Sequence, residues 1–341
     1  MNTTEPQPFY LDCDTGIDDS LAIAYLLSSQ EVNLAGIGTV SGNVSARAGA
    51  TNTLDLLRAA GRSGIPVAVG AHDPLRGQFD GGAPHVHGHN GIGGTILPAS
   101  DCGPEAESAA EMLVRLAHEH PGTLRVIAVG PLTNLALALE LDPELPRLVR
   151  DVTVMGGAAF VPGNVSPAAE ANIINDPEAA AAVMTAGWPV TLVPLDVTMN
   201  HRFDESHRTA LAEAGHPVSD ALADMLVQYF GFYRSIFGEA CAALHDPLAA
   251  AVAVGGLEPD DAPFVEISVD TSDGPGRGKT HCVRIDGGAA PGERTAPERA
   301  SRVVLSVRDD AAAHLLERIL TLPLRGEAAP HGAALNERIH S

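Results

Sequence analysis

Short apolar runs alternate with stretches of helical periodicity along most of the 341 residues of this chain. The first run, 8–11, ends in a turn rich in carboxylates, and residues 18–29 then repeat apolar side chains at helical spacing. The same alternation continues through a strand at 32–40 and a helix at 46–60. Alternating strands and helices predict an α/β fold with a mainly parallel open sheet and helices on both faces.

This Rossmann-like arrangement places ligands at the C-terminal ends of the strands, so we expect the active site there. Further strands are predicted at 66–70, 124–129, 152–155, 190–194, 262–270 and 280–286, and further helices at 104–120, 132–141, 177–187, 205–214, 218–237 and from Asp246. The stretch 71–103 is rich in Gly, Pro and His, which favours a mobile binding loop or lid. We find no repeat and no linker, so we predict one domain, 1–324, followed by a frayed tail, 325–341.

The formal charge of −22 and the pI near 4.8 argue against binding to nucleic acid, which needs clustered Lys and Arg on the protein surface. The four cysteines are far apart and form no Cys-x-x-Cys pair, which fits a reducing cytoplasm. No stretch reaches the ~18 apolar residues that a membrane span needs. We therefore expect a cytoplasmic protein with neither export nor membrane insertion.

Four carboxylates lie within eight residues at the end of the first predicted strand: Asp12, Asp14, Asp18 and Asp19. Unpaired in a partly buried cleft they would repel one another, so a cation is expected beside them. Carboxylate oxygens suit a hard ion such as calcium or magnesium. A solvated turn that caps the following helix would explain two of these acids, but it is the weaker explanation for all four.

Two further polar clusters follow later predicted strands. Asn164, Glu170 and Asn172 offer carboxamides and a carboxylate that can pair with the adjacent hydroxyls of a furanose, although such residues are also ordinary turn formers. His245 and Asp246 precede Pro247, and here an acid could complete a metal shell beside a titratable imidazole. Alone, each cluster is a modest signal.

Taken in order, these motifs resemble the inosine-uridine-preferring nucleoside hydrolase family. The turn from Asp12 to Asp19 is similar to the N-terminal aspartate signature of that family. The other motifs follow in the family's order: Val40-Ser41-Gly42-Asn43, Gly130-Pro131-Leu132-Thr133-Asn134, Met155-Gly156-Gly157, Gly163-Asn164, Ala169-Glu170-Ala171-Asn172-Ile173 and His245-Asp246-Pro247. The likeness runs from about residue 8 to about residue 255, and the ordered set is highly specific.

The resemblance implies calcium-dependent hydrolysis of the N-glycosidic bond of ribonucleosides, pyrimidine or purine, to free ribose and nucleobase. Asp14 would be the general base toward the attacking water. The residues implied to hold Ca²⁺ are Asp14, Asp19, Val129 through its carbonyl, and Asp246. The residues implied to form the ribose site are Asp18, Asn43, Met155, Asn164, Glu170 and Asn172.

Bond cleavage would pass through an oxocarbenium-like ribosyl cation, which an anionic pocket stabilises. His245 is the candidate general acid for the departing base, and the alternative is a buried histidine that orients Asp246. His87 best matches the family's loop bordering the nucleobase, although a His-x-His-x-His run could instead bind a transition metal. Tyr233 and Phe237 could stack on the base or belong to the core.

Two positions depart from the pattern of the family. Ala171 replaces the aromatic residue common between the Glu and the Asn of the sugar motif, which leaves the substrate preference open. Thr15 stands where many relatives have proline, and we expect little effect from it. The resemblance also implies a homodimer or homotetramer.

Two other functions compete with this interpretation. A phosphatase of the haloacid-dehalogenase type also has an Asp-x-Asp-Thr motif after its first strand, but it needs a lysine, and the only lysine here is Lys279 in a predicted hairpin turn. A non-catalytic protein could bind ribosides through the same calcium site. The presence of both Asp14 and His245 disfavours that alternative.

Overall fold

A nine-stranded sheet organises the computed structural model, which describes residues 5–285 and 301–323. The strands are β1 Gln7–Cys13, β2 Val32–Thr39, β3 Val67–Val69, β4 Arg125–Ala128, β5 Asp151–Met155, β6 Val190–Val193, β7 Arg202–Asp204, β8 Cys241–Ala243, β9 Pro259–Asp261, β10 Phe264–Val269, β11 Thr280–Arg284, β12 Ser301–Val303 and β13 Ser306–Val307. The helices are α1 Ile17–Leu27, α2 Ala46–Ala59, α3 Pro84–His87, α4 Ala109–Glu119, α5 Thr133–Leu141, α6 Leu145–Leu148, α7 Ala171–Asn175, α8 Pro177–Thr185, α9 Leu195–Thr198, α10 Glu205–Ala212, α11 Pro217–Phe237, α12 Asp246–Val254 and α13 Ala311–Ile319.

The strand order of the large sheet is β11-β10-β12-β6-β5-β4-β1-β2-β3, and the strands from β3 to β12 pair in parallel. The chain winds outward from β1 to β3 and then crosses to β4 on the other side of β1. This reversal opens a crevice at the C-terminal ends of β1 and β4, where ligands bind in sheets of this kind. The predicted α/β fold with a mainly parallel open sheet is confirmed.

Both faces of the sheet are buried, and β1 divides the core between them. Phe9 and Leu11 pack in one apolar cluster, together with side chains of α1, α11 and α12. Tyr10 points to the opposite face and packs in a second cluster with α4, α5 and α8. This alternation explains why β1 reads as a continuous apolar run, as is typical of parallel strands that are covered on both sides. Asp12 follows Tyr10 at the strand period of two and shares its face.

The predicted helix at 104–120 begins five residues later than expected, at Ala109. A capping box determines this start, because Ser108 accepts a hydrogen bond from the backbone N–H of Glu111 while the Glu111 carboxylate accepts one from Ser108. The predicted hairpin is confirmed as β10 and β11, which pair antiparallel. Its last predicted residue, Asp286, lies outside the described residues, as does the predicted tail 325–341.

The sequence did not predict the antiparallel ribbon of β7 and β8. Each of its strands has only three residues, too few for a clear period of two. The ribbon matters because β8 leads directly into His245 and Asp246, so these two residues reach the site from outside the parallel sheet. Within residues 5–285 and 301–323, no helix combines the length and apolar character that a membrane span requires.

Candidate active site

Asp14 and Asp19 are held at the end of β1 by backbone amides. The Asp19 carboxylate accepts hydrogen bonds from the N–H groups of Asp14 (3.1 Å) and Gly16 (2.7 Å), so it closes the turn into α1. The carboxylate of Asp14 accepts one from the N–H of Asn43 (2.6 Å), in the turn after β2. Both side chains are buried. The turn therefore fixes two acids through contacts with neighbouring backbone.

Gly42 lets the β2 turn approach this far. A Cβ atom at Gly42 would lie 2.0 Å from Oδ2 of Asp14, so no other residue fits without displacing the carboxylate. The side chain of Asn43 then reaches Asp19, with 3.2 Å between Nδ2 and Oδ2. The turn that carries Gly42 and Asn43 thus contacts the aspartate turn directly, as its position after the neighbouring strand predicts.

Four buried carboxylates form the centre of the site: Asp14, Asp18, Asp19 and Asp246. Oxygens of Asp18, Asp19 and Asp246 all lie within 4.8 Å of one another, close enough to hold one metal ion. In the part of the chain that the structure describes, Oδ1 of Asp14 and Oδ1 of Asp18 are buried without a hydrogen-bond partner. A cation is the ligand that such oxygens lack, and an all-oxygen donor set suits a hard divalent ion.

The pKa values of these acids also indicate that a positive charge is needed at the site. Burial, followed by the charge of Asp19, raises the pKa of Asp14 well above its usual range. Burial and the charge of Asp18 raise the pKa of Asp19 to about 7 and also raise the pKa of Asp246. Such shifts mean that the ionised cluster costs free energy when no positive charge is near. The donor set therefore fits a metal ion.

The opposite wall of the crevice comes from β4 and β5. Nδ2 of Asn172 donates to the carbonyl of Val129 (2.9 Å) and to the carbonyl of Met155 (3.2 Å), so it bridges the ends of both strands. The Val129 carbonyl thus lies at the crevice, where the sequence places it, with Asn172 as its partner. Met155 is buried beside the same carboxamide, 3.4 Å from Sδ to Nδ2.

Glu170 and Asn164 shape the loop that leads to Asn172. Glu170 caps α7, because its carboxylate accepts hydrogen bonds from the N–H groups of Asn172, Ile173 and Gly157. Burial raises its pKa although these bonds oppose the shift. Asn164 is exposed, and its side chain accepts a hydrogen bond from the N–H of Ala171 (3.0 Å). Both side chains therefore hold the backbone around Asn172 in place.

His87 and Tyr229 border the cluster beside Asp18. The hydroxyl of Tyr229, on α11, donates to Oδ2 of Asp18 (2.8 Å), and the Tyr229 ring lies 5.4 Å from the ring of His87. Nδ1 of His87 accepts from the N–H of Ile17 (3.1 Å), which leaves Nε2 to carry the hydrogen of the neutral ring. Burial lowers the pKa of His87, so the neutral form is favoured.

A side-chain contact from α2 holds the loop that carries His87. Nδ2 of Asn52 donates both to the carbonyl of Thr15 (3.1 Å) and to the carbonyl of Asn90 (2.9 Å). The loop is thereby attached to the aspartate turn. His85 and His89 lie elsewhere: His85 packs on the ring of Phe232, and His89 is exposed. The three histidines do not come together as a group.

His245 lies between two hydroxyl groups. Its Nε2 is 2.5 Å from the hydroxyl oxygen of Tyr233, and its Nδ1 is 2.8 Å from Oγ1 of Thr198. Burial lowers the pKa of His245 to about 4, and the nearby Asp18 opposes that shift. The imidazole is therefore neutral at neutral pH before substrate and metal bind. Tyr233, whose pKa burial raises, keeps its proton.

Phe237 supports Tyr233 from behind. The two rings are stacked at 5.4 Å between centroids, and the guanidinium of Arg202 lies 3.7 Å from the centre of the Phe237 ring. Arg202 belongs to β7, so the unpredicted ribbon contributes to this stack. In this conformation Phe237 packs on the protein, and Tyr233 is the aromatic residue that contacts His245.

The family comparison follows from this geometry. A family profile described as inosine-uridine preferring nucleoside hydrolase matches residues 9–314. The chain belongs to this nucleoside hydrolase family. It is therefore an enzyme, a hydrolase that acts on the N-glycosidic bond of ribonucleosides. The sequence resemblance predicted the same family.

Individual relatives and solved structures agree with that assignment. A uridine nucleosidase of Arabidopsis thaliana is 39% identical over 239 residues, which is 70% of this chain and 71% of the relative. A plant nucleoside hydrolase named PpNRh1 superimposes with a TM-score of 0.85 at 33% identity, covering 93% of this chain and all of that one. A purine-preferring ribonucleoside hydrolase from Gardnerella vaginalis has a TM-score of 0.83 at 31% identity, covering 93% and 99%.

The nucleoside hydrolase site contains two residues that the sequence analysis missed, Tyr229 and Thr198. Tyr229 lies four residues before Tyr233 on α11, and that helical spacing could have shown that both hydroxyls share one face. Thr198 ends α9 and offers no comparable signal, because its contact with His245 joins residues 47 positions apart. Of the predicted site residues, Asn164 is exposed and bonds to the backbone of Ala171, and Phe237 packs behind Tyr233.

The structure does not support the phosphatase alternative, because the nucleophile and the lysine that it requires are not available in this nucleoside hydrolase. The Asp12 carboxylate, which would be the nucleophile, is buried and accepts hydrogen bonds from the Tyr10 hydroxyl and the Asn134 carboxamide. Lys279 is exposed in the turn before β11, where its backbone bridges to Ala169. Neither residue is available beside a shared phosphate position.

Proposed function

We propose that this enzyme hydrolyses ribonucleosides with a calcium ion held by the buried carboxylates, and that uridine is a substrate. One observation carries the proposal. Four buried carboxylates, two of them with an oxygen that lacks a partner among the described residues, lie at the ends of the parallel strands beside a histidine flanked by two hydroxyls. A nucleoside needs both elements, one for the ribose and one for the departing base.

Asp14, Asp19, Asp246 and the carbonyl of Val129 are proposed to hold the calcium ion. When bound, the ion would supply positive charge that lowers the pKa of a water molecule in the site. Asp14 is the proposed general base, because one carboxylate oxygen is fixed by the N–H of Asn43 and the other has no partner in the described structure. The fixed oxygen orients the carboxylate, and the other can accept a proton from the attacking water.

The proposed ribose site lies above these acids, between the turns after β2 and β5. Asp18, Asn43 and Asn172 offer acceptors and donors at the crevice, while Glu170 and Asn164 fix the loop between them. Adjacent sugar hydroxyls match such a mixed donor and acceptor set. As the glycosidic bond breaks, the ribosyl group gains positive charge, and the surrounding carboxylates stabilise it.

His245 and Tyr233 are proposed to assist the departing base. The neutral imidazole can donate its Nε2–H to the Tyr233 oxygen at 2.5 Å, which leaves the tyrosine hydrogen to donate to a base atom as electrons move onto the base. The proton that the base finally gains balances the proton that Asp14 takes from water. His87, whose Nε2 carries the hydrogen, is proposed to border the base on the other side.

The proposal that uridine is a substrate rests on the relatives. The Arabidopsis uridine nucleosidase is 39% identical to this chain over 239 aligned residues. Ala171 leaves more room near the ribose than an aromatic residue would, so modified nucleosides are further candidates. The homodimer or homotetramer is proposed from the family resemblance. The single domain 1–324 and the cytoplasmic location are proposed from the sequence features alone.

Release of ribose and free base from uridine, cytidine, inosine and adenosine tests this function. We expect uridine hydrolysis that is lost after chelation and restored by added calcium. Restoration by magnesium alone would change the identity of the ion. Calcium-dependent binding of uridine with no base release from any nucleoside would overturn the enzymatic assignment and support the riboside-binding alternative.

A further inference from the structure

A buried asparagine, Asn134, lies beneath the strand ends that carry the site. It is the second residue of α5, and its side chain is fully buried. Nδ2 donates to the Asp12 carboxylate on β1 (3.0 Å) and to the carbonyl of Thr39, the last residue of β2 (3.1 Å). Oδ1 accepts from the N–H of Ala71, shortly after β3 (2.8 Å). One carboxamide thus joins the ends of three neighbouring strands.

Asp12 extends this connection to a fourth strand. Its carbonyl accepts a hydrogen bond from the N–H of Val129 (2.8 Å), directly after β4. Its carboxylate also accepts one from the Tyr10 hydroxyl (2.8 Å). Asp12 lies only two residues before Asp14, so a shift of its side chain moves both the turn that carries Asp14 and the carbonyl of Val129.

The backbone around Asn134 leaves it no alternative position. A Cβ atom at Gly70 would lie 2.1 Å from Oδ1 of Asn134, so the chain after β3 passes directly over the carboxamide. The N–H of Gly70 also donates to the Thr39 carbonyl (2.8 Å), which Asn134 shares. A side chain without donors would leave this carbonyl with one partner fewer. Among the described residues, the Asp12 carboxylate would then keep Tyr10 as its one side-chain partner.

We propose that Asn134, acting through Asp12, is a positioning residue for the calcium site, an inference that rests on the function proposed above. Its carboxamide fixes the relative positions of the strand ends that present Asp14, Asn43 and the Val129 carbonyl. The hydrogen bonds of the carboxamide go to Asp12, Thr39 and Ala71, not to these three groups. Substitution of a residue that orients metal ligands without binding the metal typically lowers metal affinity or activity by about 10- to 100-fold.

Calcium titration calorimetry on the metal-stripped full chain tests the proposal. We expect Asn134→Leu, which keeps the branched arrangement of four side-chain heavy atoms but removes the hydrogen bonds to all three partners, to bind calcium about 10- to 100-fold more weakly than wild type. Thr133→Val is the matched control. Its hydroxyl, one residue earlier on α5, donates to the buried Asp176 (2.7 Å) and contacts no strand end of the site.

The melting temperature of each variant separates positioning from general destabilisation. We expect both variants to melt below wild type, but only Asn134→Leu to lose calcium affinity. Equal calcium affinity in Asn134→Leu and wild type would overturn the inference and leave the proposed function intact. Wild-type protein that neither binds calcium nor cleaves uridine would overturn the proposed function and the inference with it.

A milder variant covers the case in which Asn134→Leu does not fold. Tyr10→Phe removes the tyrosine hydrogen bond to Asp12 and keeps the aromatic ring in the core. We expect calcium affinity to fall about three- to tenfold in this variant, because one of the two side chains that hold Asp12 is lost. Unchanged affinity in a folded Tyr10→Phe protein would also overturn the inference.

Discussion

The two halves of the site are built by different kinds of contact. The carboxylate half, Asp14, Asp19 and Asn43, is held by backbone N–H groups of the turns after β1 and β2. The aromatic half, His87, Tyr229, Tyr233 and His245, is held mainly by side-chain contacts between distant segments. These four residues lie on α3, on α11 and directly before α12. Backbone contacts depend on the conformation of a whole short motif, whereas a side-chain contact can be altered by substituting a single residue.

The difference suggests a division of roles within the enzyme. Every ribonucleoside presents ribose, so the half proposed to face the sugar can be invariant in geometry. Nucleobases differ in size and in hydrogen-bonding pattern, so the half proposed to face the base benefits from side chains that can be exchanged. On this account, substitutions in the carboxylate half should affect all substrates, and substitutions in the aromatic half should depend on the leaving group.

The largest effect is expected for Asp14→Asn, in the carboxylate half. The variant keeps the size of the side chain and an oxygen for the N–H of Asn43, but it removes the proposed base. We expect kcat/KM to fall about 10³-fold for uridine and for inosine alike, measured by base release at saturating calcium. The control Asp176→Asn alters a buried acid that caps α8 and should stay near wild-type activity. A loss confined to one nucleobase would contradict the division of roles.

His245→Phe should have the next largest effect, in the aromatic half. Removing the imidazole breaks the proposed donor pair of His245 and Tyr233, so kcat for uridine should fall about 10²-fold. A riboside with a 4-nitrophenolate leaving group departs as a stable anion and needs no proton. We expect its rate to fall less than about tenfold. Equal losses for both substrates would show that His245 acts structurally, for example by orienting Asp246.

Tyr229→Phe tests the contact that links the aromatic half to Asp18, the neighbour of Asp19 on α1. Its hydroxyl donates to Oδ2 of Asp18 at 2.8 Å across 211 residues of sequence, and its ring would remain in place. A hydrogen bond to a charged acceptor is worth about 1.5–3 kcal/mol, so we expect kcat/KM to fall about tenfold for every nucleoside. Tyr25→Phe, which removes a hydroxyl contact with His314 away from the site, is the matched control. Equal activities of the two variants would contradict the link.

The smallest effect concerns the pH dependence of stability without metal. Burial raises the pKa of Asp19 to about 7, so the folded protein binds its proton more tightly than the unfolded chain does. Protonated Asp19 therefore contributes stability to the folded state at low pH. This contribution is lost as the pH rises from about 4 through about 7. We expect the calcium-free melting temperature to be a few degrees lower at pH 8 than at pH 5.5. Asp19→Asn should reduce this difference, and a melting temperature that rises with pH would contradict the assignment.

The carboxylate half could be predicted from the sequence because its contacts are local. Asp14, Asp19 and Gly16 lie in one turn, and Asn43 follows the neighbouring strand, so period and motif together indicate their meeting point. The parallel sheet followed from the same strand and helix alternation. Helix starts were less certain, because a helix was predicted from Pro104 whereas the capping box at Ser108 starts it at Ala109.

The aromatic half was only partly predictable. Tyr233 and His245 were named as candidates, but their mutual contact depends on how α11 packs beside α12, which no local pattern specifies. Phe237 was expected to stack on the base or lie in the core, and Arg202 covers its ring through a ribbon of three-residue strands that carries too little periodicity to detect. Tyr229 and Thr198 act through contacts between residues far apart in sequence.

Addition of calcium to the metal-stripped enzyme, with bound ion and uridine hydrolysis followed in the same samples, tests the central claim most directly. If the carboxylate half holds a calcium ion needed for catalysis, hydrolysis should rise in proportion to bound calcium and reach its limit at one ion per chain. Full hydrolysis by protein that has been shown to contain no bound metal would contradict the account.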